Sequence, residues 1–117
     1  MIPDAINPAR GEVWTVDLSP TIGREQAGMR PALIVSDDGL NSSPRGIVIV
    51  LPMTGADRGF PTHIPVGPPE GGLAKPSQVM TEQVRSISKE RLVRRRGEAS
   101  PETMAQVDET LRFVLGL

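Results

Sequence analysis

The 117-residue chain contains no cysteine. A disulfide framework, a thiolate nucleophile and a thiolate metal site are therefore all excluded. Histidine occurs once, at His63, which rules out any mechanism that needs a pair of imidazoles as acid and base. Aromatic residues are scarce, with one tryptophan, two phenylalanines and no tyrosine. An extended platform for stacking unpaired bases is thus nearly missing, and any recognition of a single strand would rest on hydrogen bonds. Trp14 and Phe113 are expected in the core, leaving only Phe60 for such a role. No apolar run approaches the ~20 residues of a membrane span, and the N-terminus lacks the basic and apolar regions of a secretory signal. The expected location is the cytoplasm.

Other catalytic sets are also absent. There is no H-E-x-x-H helix and no G-x-S-x-G elbow, so metal-dependent hydrolysis and a serine triad have no recognisable frame. The adjacent Asp37 and Asp38 lie among turn residues, where short carboxylates bond local backbone N–H groups, and they are read as structural. His63 is read as a strand side chain rather than a ligand.

Basic and acidic residues nearly balance, 13 against 14, which is not the strongly basic balance of many nucleic-acid binders. Arginine nevertheless supplies most of the positive charge, and its planar fork bonds phosphate bidentately where lysine acts as a point charge. Genomic base composition can produce the same bias. The run Arg94-Arg95-Arg96 is read as a solvated face.

The length suits one domain with a modest core. Glu12 to Leu18 alternates in period two, with Trp14, Val16 and Leu18 on one face, and predicts a strand with one buried side. A polar, glycine-containing loop from Ser19 to Arg30 follows, and Pro31 to Ser36 reads as the next strand. Asp37 to Pro44 is turn-rich and has room for a single helical turn. Ile47 to Leu51 is a continuous apolar run, expected to be a strand buried on both faces. Glycine and proline crowd Gly55 to Pro76, where only short strands fit, most plausibly around His63 to Val66. Ser77 to Ser86 resumes an extended pattern, and Ser88 to Arg91 suggests a short turn before Leu92-Val93. Ser100-Pro101-Glu102 places an N-cap, a first-turn proline and an acid at a helix start. Met104, Val107, Leu111, Val114 and Leu115 then recur at helical spacing, predicting an apolar stripe laid on the strands. Short strands plus one terminal helix imply a small, strongly bent sheet or partial barrel.

The stretch Gly23-Arg24-Glu25-Gln26-Ala27-Gly28-Met29-Arg30-Pro31 carries the clearest chemical signal. Pro31 biases Arg30 toward an extended conformation at a loop-to-strand junction. This G-x-E-Q-x-G-x-R-P spacing before a hydrophobic strand, together with Leu51-Pro52-Met53-Thr54 and Glu82-Gln83-Val84-Arg85-Ser86-Ile87, resembles the MazF/PemK (Kid) family of toxin endoribonucleases. The resemblance runs from about Arg10 to Leu115. It implies an SH3-like, partly open β-barrel with a C-terminal helix, in the CcdB/PemK-like toxin fold. The domain is placed at residues 10–117, after an N-terminal extension of residues 1–9 expected to be flexible.

The resemblance also implies a function. A sequence-specific, metal-independent endoribonuclease would cleave single-stranded RNA to 2′,3′-cyclic phosphate and 5′-hydroxyl ends, with no cofactor. In the family the arginine ending the first long loop and the threonine ending the third strand form the catalytic pair, which carries over here to Arg30 and Thr54. Arg30, too basic to act as a general base at neutral pH, would stabilise charge on the phosphorane-like transition state. Thr54 would bond the scissile phosphate. Arg24, Glu25, Gln26, Glu82 and Gln83 are the candidate RNA contacts, the last two expected on a strand. Read without the family, Arg30 could pair with Glu25 and Thr54 could cap a turn with Gly55. The implied assembly is a homodimer whose interface forms the RNA groove, inactivated by a cognate MazE-like antitoxin with an acidic, flexible C-terminal segment. Two other functions are left open: a non-enzymatic CcdB-like gyrase poison, and a catalytically silent RNA-binding module.

Overall fold

A computed structural model describes residues 7–19 and 28–117. Seven strands and two helices occur among them: β1 (Glu12–Asp17), β2 (Met29–Ile34), α1 (Asp38–Asn41), β3 (Ile47–Thr54), β4 (His63–Val66), β5 (Ser77–Met80), β6 (Arg85–Ser88), β7 (Leu92–Glu98) and α2 (Pro101–Leu115). The fold is mainly antiparallel β with a C-terminal helix, as expected from the sequence. Strand order is β4-β5-β3-β2-β1-β7, and β6 also pairs with β3.

β3 organises the sheet because its eight residues serve three neighbours. Its first half pairs with β6, its middle with β2, and Met53 and Thr54 with Val79 and Gln78 of β5. The alternation of side chains divides the apolar residues between two cores. On one face Trp14, Val16 and Leu18 of the β1 region join Ala32, Ile34, Val48 and Val50, and Ile87 and Leu92 close this barrel interior. On the other face Val13, Leu33, Leu51 and Met53 pack with Ile64, Val66, Val79 and Val107. β1 is therefore buried on both sides near Val13, not on one, because Val13 joins the second core and the turn at Glu70–Gly72 lies against it. Register shifts between β1 and β7 after Val13 and Thr15 add local twist, which helps the sheet curl.

α2 starts as its sequence requires, with Ser100 Oγ accepting from the Thr103 backbone N–H and Pro101 in the first turn. It ends at Gly116, whose φ of 71° is a left-handed cap that a side chain would strain. Val107 is fully buried, with Met104 and Leu111 packed around it. Phe113 is not in the core: it is 79% exposed. At 100° per residue it lies about 200° around the helix from Leu111, away from the stripe. Leu115 keeps the stripe's angle but is also exposed, on the last turn.

Three further points bear on the expectations. Asp37 caps α1, accepting from the Gly39 N–H at 2.8 Å, and Asp38 accepts from the Arg10 backbone N–H, so both carboxylates do structural work. β7 runs through the arginine triplet, with Arg94 and Arg95 exposed and Arg96 half-buried. Gly72 is required where a 3₁₀ turn crosses β7, since a Cβ there would lie 2.0 Å from the Arg96 carbonyl oxygen.

Candidate active site

Arg30 lies on β2 two residues before Ala32, and β2 pairs with β3 through Ala32 opposite Pro52, Leu33 opposite Leu51 and Ile34 opposite Val50. That ladder ends at Ala32 and Pro52, and Arg30 and Thr54 each lie two residues beyond it, so the alternation of side chains puts both on the same face of the sheet. The next strand extends the row, because Thr54 pairs directly with Gln78 of β5. Arginine, hydroxyl and amide thus occupy adjacent places across β2, β3 and β5, at the end of the barrel interior that Val50 and Ala32 line further in.

Each member is held locally. The β1–β2 ladder pairs Arg30 with Val16, and Pro31 fixes its neighbour's backbone. Leu18 N–H donates to the Gly28 carbonyl and Gly28 N–H to Ser19 Oγ, pinning both ends of the long loop where it leaves the sheet. Arg91 holds the same base from the β7 side, donating to the carbonyls of Asp17 and Ser19. Its role was not legible in the sequence, where it belongs to an ordinary short turn.

Thr54 is buried at 7% exposure, and its Oγ1 accepts from the Ala56 N–H at 3.2 Å, which leaves the hydroxyl proton for a substrate oxygen. This bond also shows the turn-capping role, with Ala56 as the partner. Gly55 leaves space over which Lys75 lies: a Cβ there would meet Lys75 Cε at 3.8 Å. Among the described residues the Lys75 ammonium has no hydrogen-bond or ion-pair partner, so a second cation stands beside the threonine.

Glu82 and Gln83 do not sit on a strand. The extended run from Ser77 breaks into a 3₁₀ turn, Thr81–Gln83, between β5 and β6. The cause is the tie to β4: Thr81 donates from both N–H and Oγ1 to the Thr62 carbonyl, and Val84 N–H closes the turn onto Thr81. Glu82 is then committed to protein partners. Its Oε1 accepts from Thr62 Oγ1 at 2.7 Å, and its Oε2 lies 2.9 Å from His63 Nε2. Burial acts to raise the Glu82 carboxyl, but the bonds from Thr62 and His63 outweigh it and hold the group below the usual glutamate range. His63 is a strand side chain, as expected, with Phe60 edge-on at 5.1 Å.

Arg24, Glu25 and Gln26 lie outside the described residues. Among the described residues no three histidine or carboxylate side chains gather in a group that could hold a metal ion. Nor is any helix of the described residues long and apolar enough to cross a membrane.

An arginine and a hydroxyl share one sheet face, and both are donor types that a phosphoryl group accepts from. The comparisons give the family. Residues 9–115 match the model of the PemK-like, MazF-like toxins of type II toxin–antitoxin systems, and the chain belongs to that family. It is 38% identical over 113 residues to endoribonuclease MazF9 of Mycobacterium tuberculosis strain H37Rv, covering 92% of this chain and 96% of the relative. With endoribonuclease EndoA of Bacillus subtilis it shares 37% identity over 109 residues, 92% and 94% of the two chains. Among solved structures, MazF from Deinococcus radiodurans superposes with a TM-score of 0.84 at 27% identity, covering 94% of this chain and 97% of that one. A mycobacterial endoribonuclease solved with its cognate antitoxin superposes with a TM-score of 0.74 at 29% identity, covering 95% of both chains.

Proposed function

We propose that the protein is a sequence-specific, metal-independent endoribonuclease toxin that cleaves single-stranded RNA to 2′,3′-cyclic phosphate and 5′-hydroxyl ends. The observation that supports this reading is that Arg30 and Thr54 each lie two residues beyond the Ala32–Pro52 pair that ends the β2–β3 ladder, on one face of the sheet. RNA supplies its own nucleophile: the 2′-hydroxyl attacks the adjacent phosphorus, a P–O bond to the 2′-oxygen forms, and the bond to the 5′-oxygen breaks. The protein must orient that attack and stabilise charge on the phosphoryl oxygens. In this reading the Arg30 guanidinium bonds those oxygens and Thr54 Oγ1 donates to the scissile phosphate. The 2′-hydroxyl proton passes to solvent, the 5′-oxygen leaves with a proton donated by Arg30, and Arg30 is reprotonated from solvent. The relatives named as endoribonucleases support this function over a gyrase poison or a silent binding module.

The domain is read as residues 10–117, acting in the cytoplasm as a homodimer. Exposed Phe113, Leu115 and Leu117 at the end of α2 supply apolar surface that a second copy can cover. A cognate MazE-like antitoxin holds the toxin inactive, as the antitoxin complex of the mycobacterial relative supports. Carboxylates of its acidic segment take the place of phosphates beside Arg30. Arg24, Glu25, Gln26 and Gln83 remain proposed RNA contacts, whereas Glu82 reaches RNA only if it trades its bonds to Thr62 and His63 for the substrate.

The direct test is incubation of pure protein with a long single-stranded RNA in EDTA, followed by mapping of the new ends. Cleavage at a recurring sequence, leaving cyclic phosphate and 5′-hydroxyl ends, is expected. No cleavage with EDTA and restoration by magnesium or manganese would overturn the metal-independent mechanism.

A further inference from the structure

Gln78 stands at a position whose neighbours give it no structural task. β5 alternates buried Ser77, half-buried Gln78, buried Val79 and buried Met80, with Val79 in the core shared with Met53. Gln78 points to the opposite face, the face of Thr54, and it is Thr54's direct partner in the β3–β5 ladder. Directly opposed residues on one face have Cβ atoms about 5 Å apart. On its other side Gln78 pairs with Pro65 of β4, an exposed residue without a side-chain donor or acceptor. Among the described residues no side-chain hydrogen bond engages the Gln78 amide. An apolar β-branched residue would suit a strand at this place better than glutamine does.

We infer that Gln78 is a specificity-determining residue that reads the edge of the base next to the scissile phosphate. This rests on the endoribonuclease reading above. A phosphate held by Thr54 Oγ1 puts the adjoining nucleotide within one side-chain length of Gln78. The amide is neutral, so it adds little to phosphate affinity, but it carries two donors and an acceptor side by side, the pattern that pairs with a base edge. Unpaired bases of single-stranded RNA present such edges freely. Lys75, across Gly55, is the charged neighbour suited to the backbone, and the two side chains divide reading from holding.

The experiment uses wild type, Gln78→Val and Gln78→Thr on a randomised single-stranded RNA in EDTA, with the ends sequenced and the rate followed against salt. Both substitutions suit a strand, and the second stands in if the first does not fold; melting curves establish which do. Retained cleavage is expected, with discrimination at one position beside the cut falling about 10-fold and the other positions unchanged. An unchanged end profile in a folded variant overturns the inference. A uniform loss of rate at every site with a shallower salt slope also overturns it, since that is the signature of a phosphate contact. Wild type that cleaves while the variants keep its profile counts against this inference alone, whereas wild type that does not cleave removes the enzymatic reading and this one with it.

Discussion

Two polar regions of this small sheet use their charge in opposite ways. Where β1 meets β7, the Glu12 carboxylate is filled by the protein itself: Oε1 accepts from Ala9 N–H at 2.8 Å and Trp14 Nε1 at 3.0 Å, and Oε2 accepts from Arg95 Nε at 2.6 Å. At the other region, the row through Thr54 and Gln78 with Lys75 beside it, the amide and the ammonium have no protein partner among the described residues. Groups satisfied internally hold the fold together, and groups left with bonding capacity on an ordered strand are available to a ligand.

The comparison predicts that substitutions at the two ends fail differently. The largest effect is expected at Arg30. Arg30→Ala should lower RNA cleavage by about 10² or more, as loss of one transition-state donor does, with the melting temperature little changed. Arg30→Lys should recover little, because the bidentate fork is gone. Near-wild-type cleavage by Arg30→Ala would break the division proposed here.

A smaller, purely structural effect is expected at Glu12. Burial pushes its carboxyl up, but the bonds from Ala9, Arg95 and Trp14 win, and the group titrates below the ordinary glutamate value. A carboxyl lowered in the folded state stabilises above the unfolded value of about 4.3 and loses that contribution as pH falls through the folded value. Glu12→Gln should therefore cost about 1 kcal/mol at neutral pH, and its deficit should shrink below about pH 4. Denaturant melts of both proteins across pH measure this, and a deficit independent of pH would show that the charge is irrelevant. Cleavage per folded molecule should be unchanged.

The smallest effect is expected at exposed Phe113, with the larger cost at buried Val107 as its control on the same helix. Val107→Ala should cost about 2 kcal/mol by emptying a fully buried site, while Phe113→Ala on the exposed side of α2 should stay within about 0.5 kcal/mol in dilute monomer. Stability of Phe113→Ala that falls further only at concentrations where wild type dimerises would place Phe113 in the subunit contact, sharpening the homodimer proposal.

Much of the architecture was legible along the chain because local rules govern it. The alternation of β1, the apolar run of β3, the Ser100-Pro101 start of α2 and the turn chemistry of Asp37 and Asp38 all follow from period, cap and turn preferences over a few residues. The spacing that ends in Arg30-Pro31 and the segment closing on Thr54 carry a family resemblance, and that resemblance named the two candidate catalytic residues. Three expectations failed where distant partners intervened: a second core buried β1 on both sides near Val13, the tie from Thr62 and His63 turned Glu82 and Gln83 out of a strand, and the orientation of α2 left Phe113 in the open.

What the sequence by itself determined is the set of elements and the chemistry on offer: no thiol, one imidazole, and an arginine at a loop-to-strand junction. What only the tertiary structure decided is which side chains share a face. The row Arg30, Thr54, Gln78 joins residues 24 positions apart at each step, and nothing local relates them. Strand register sets that row, and register arises from burying two apolar faces at once: a slip of one residue in β3 would exchange Val48 and Val50 for Leu51 and Met53 between the two cores.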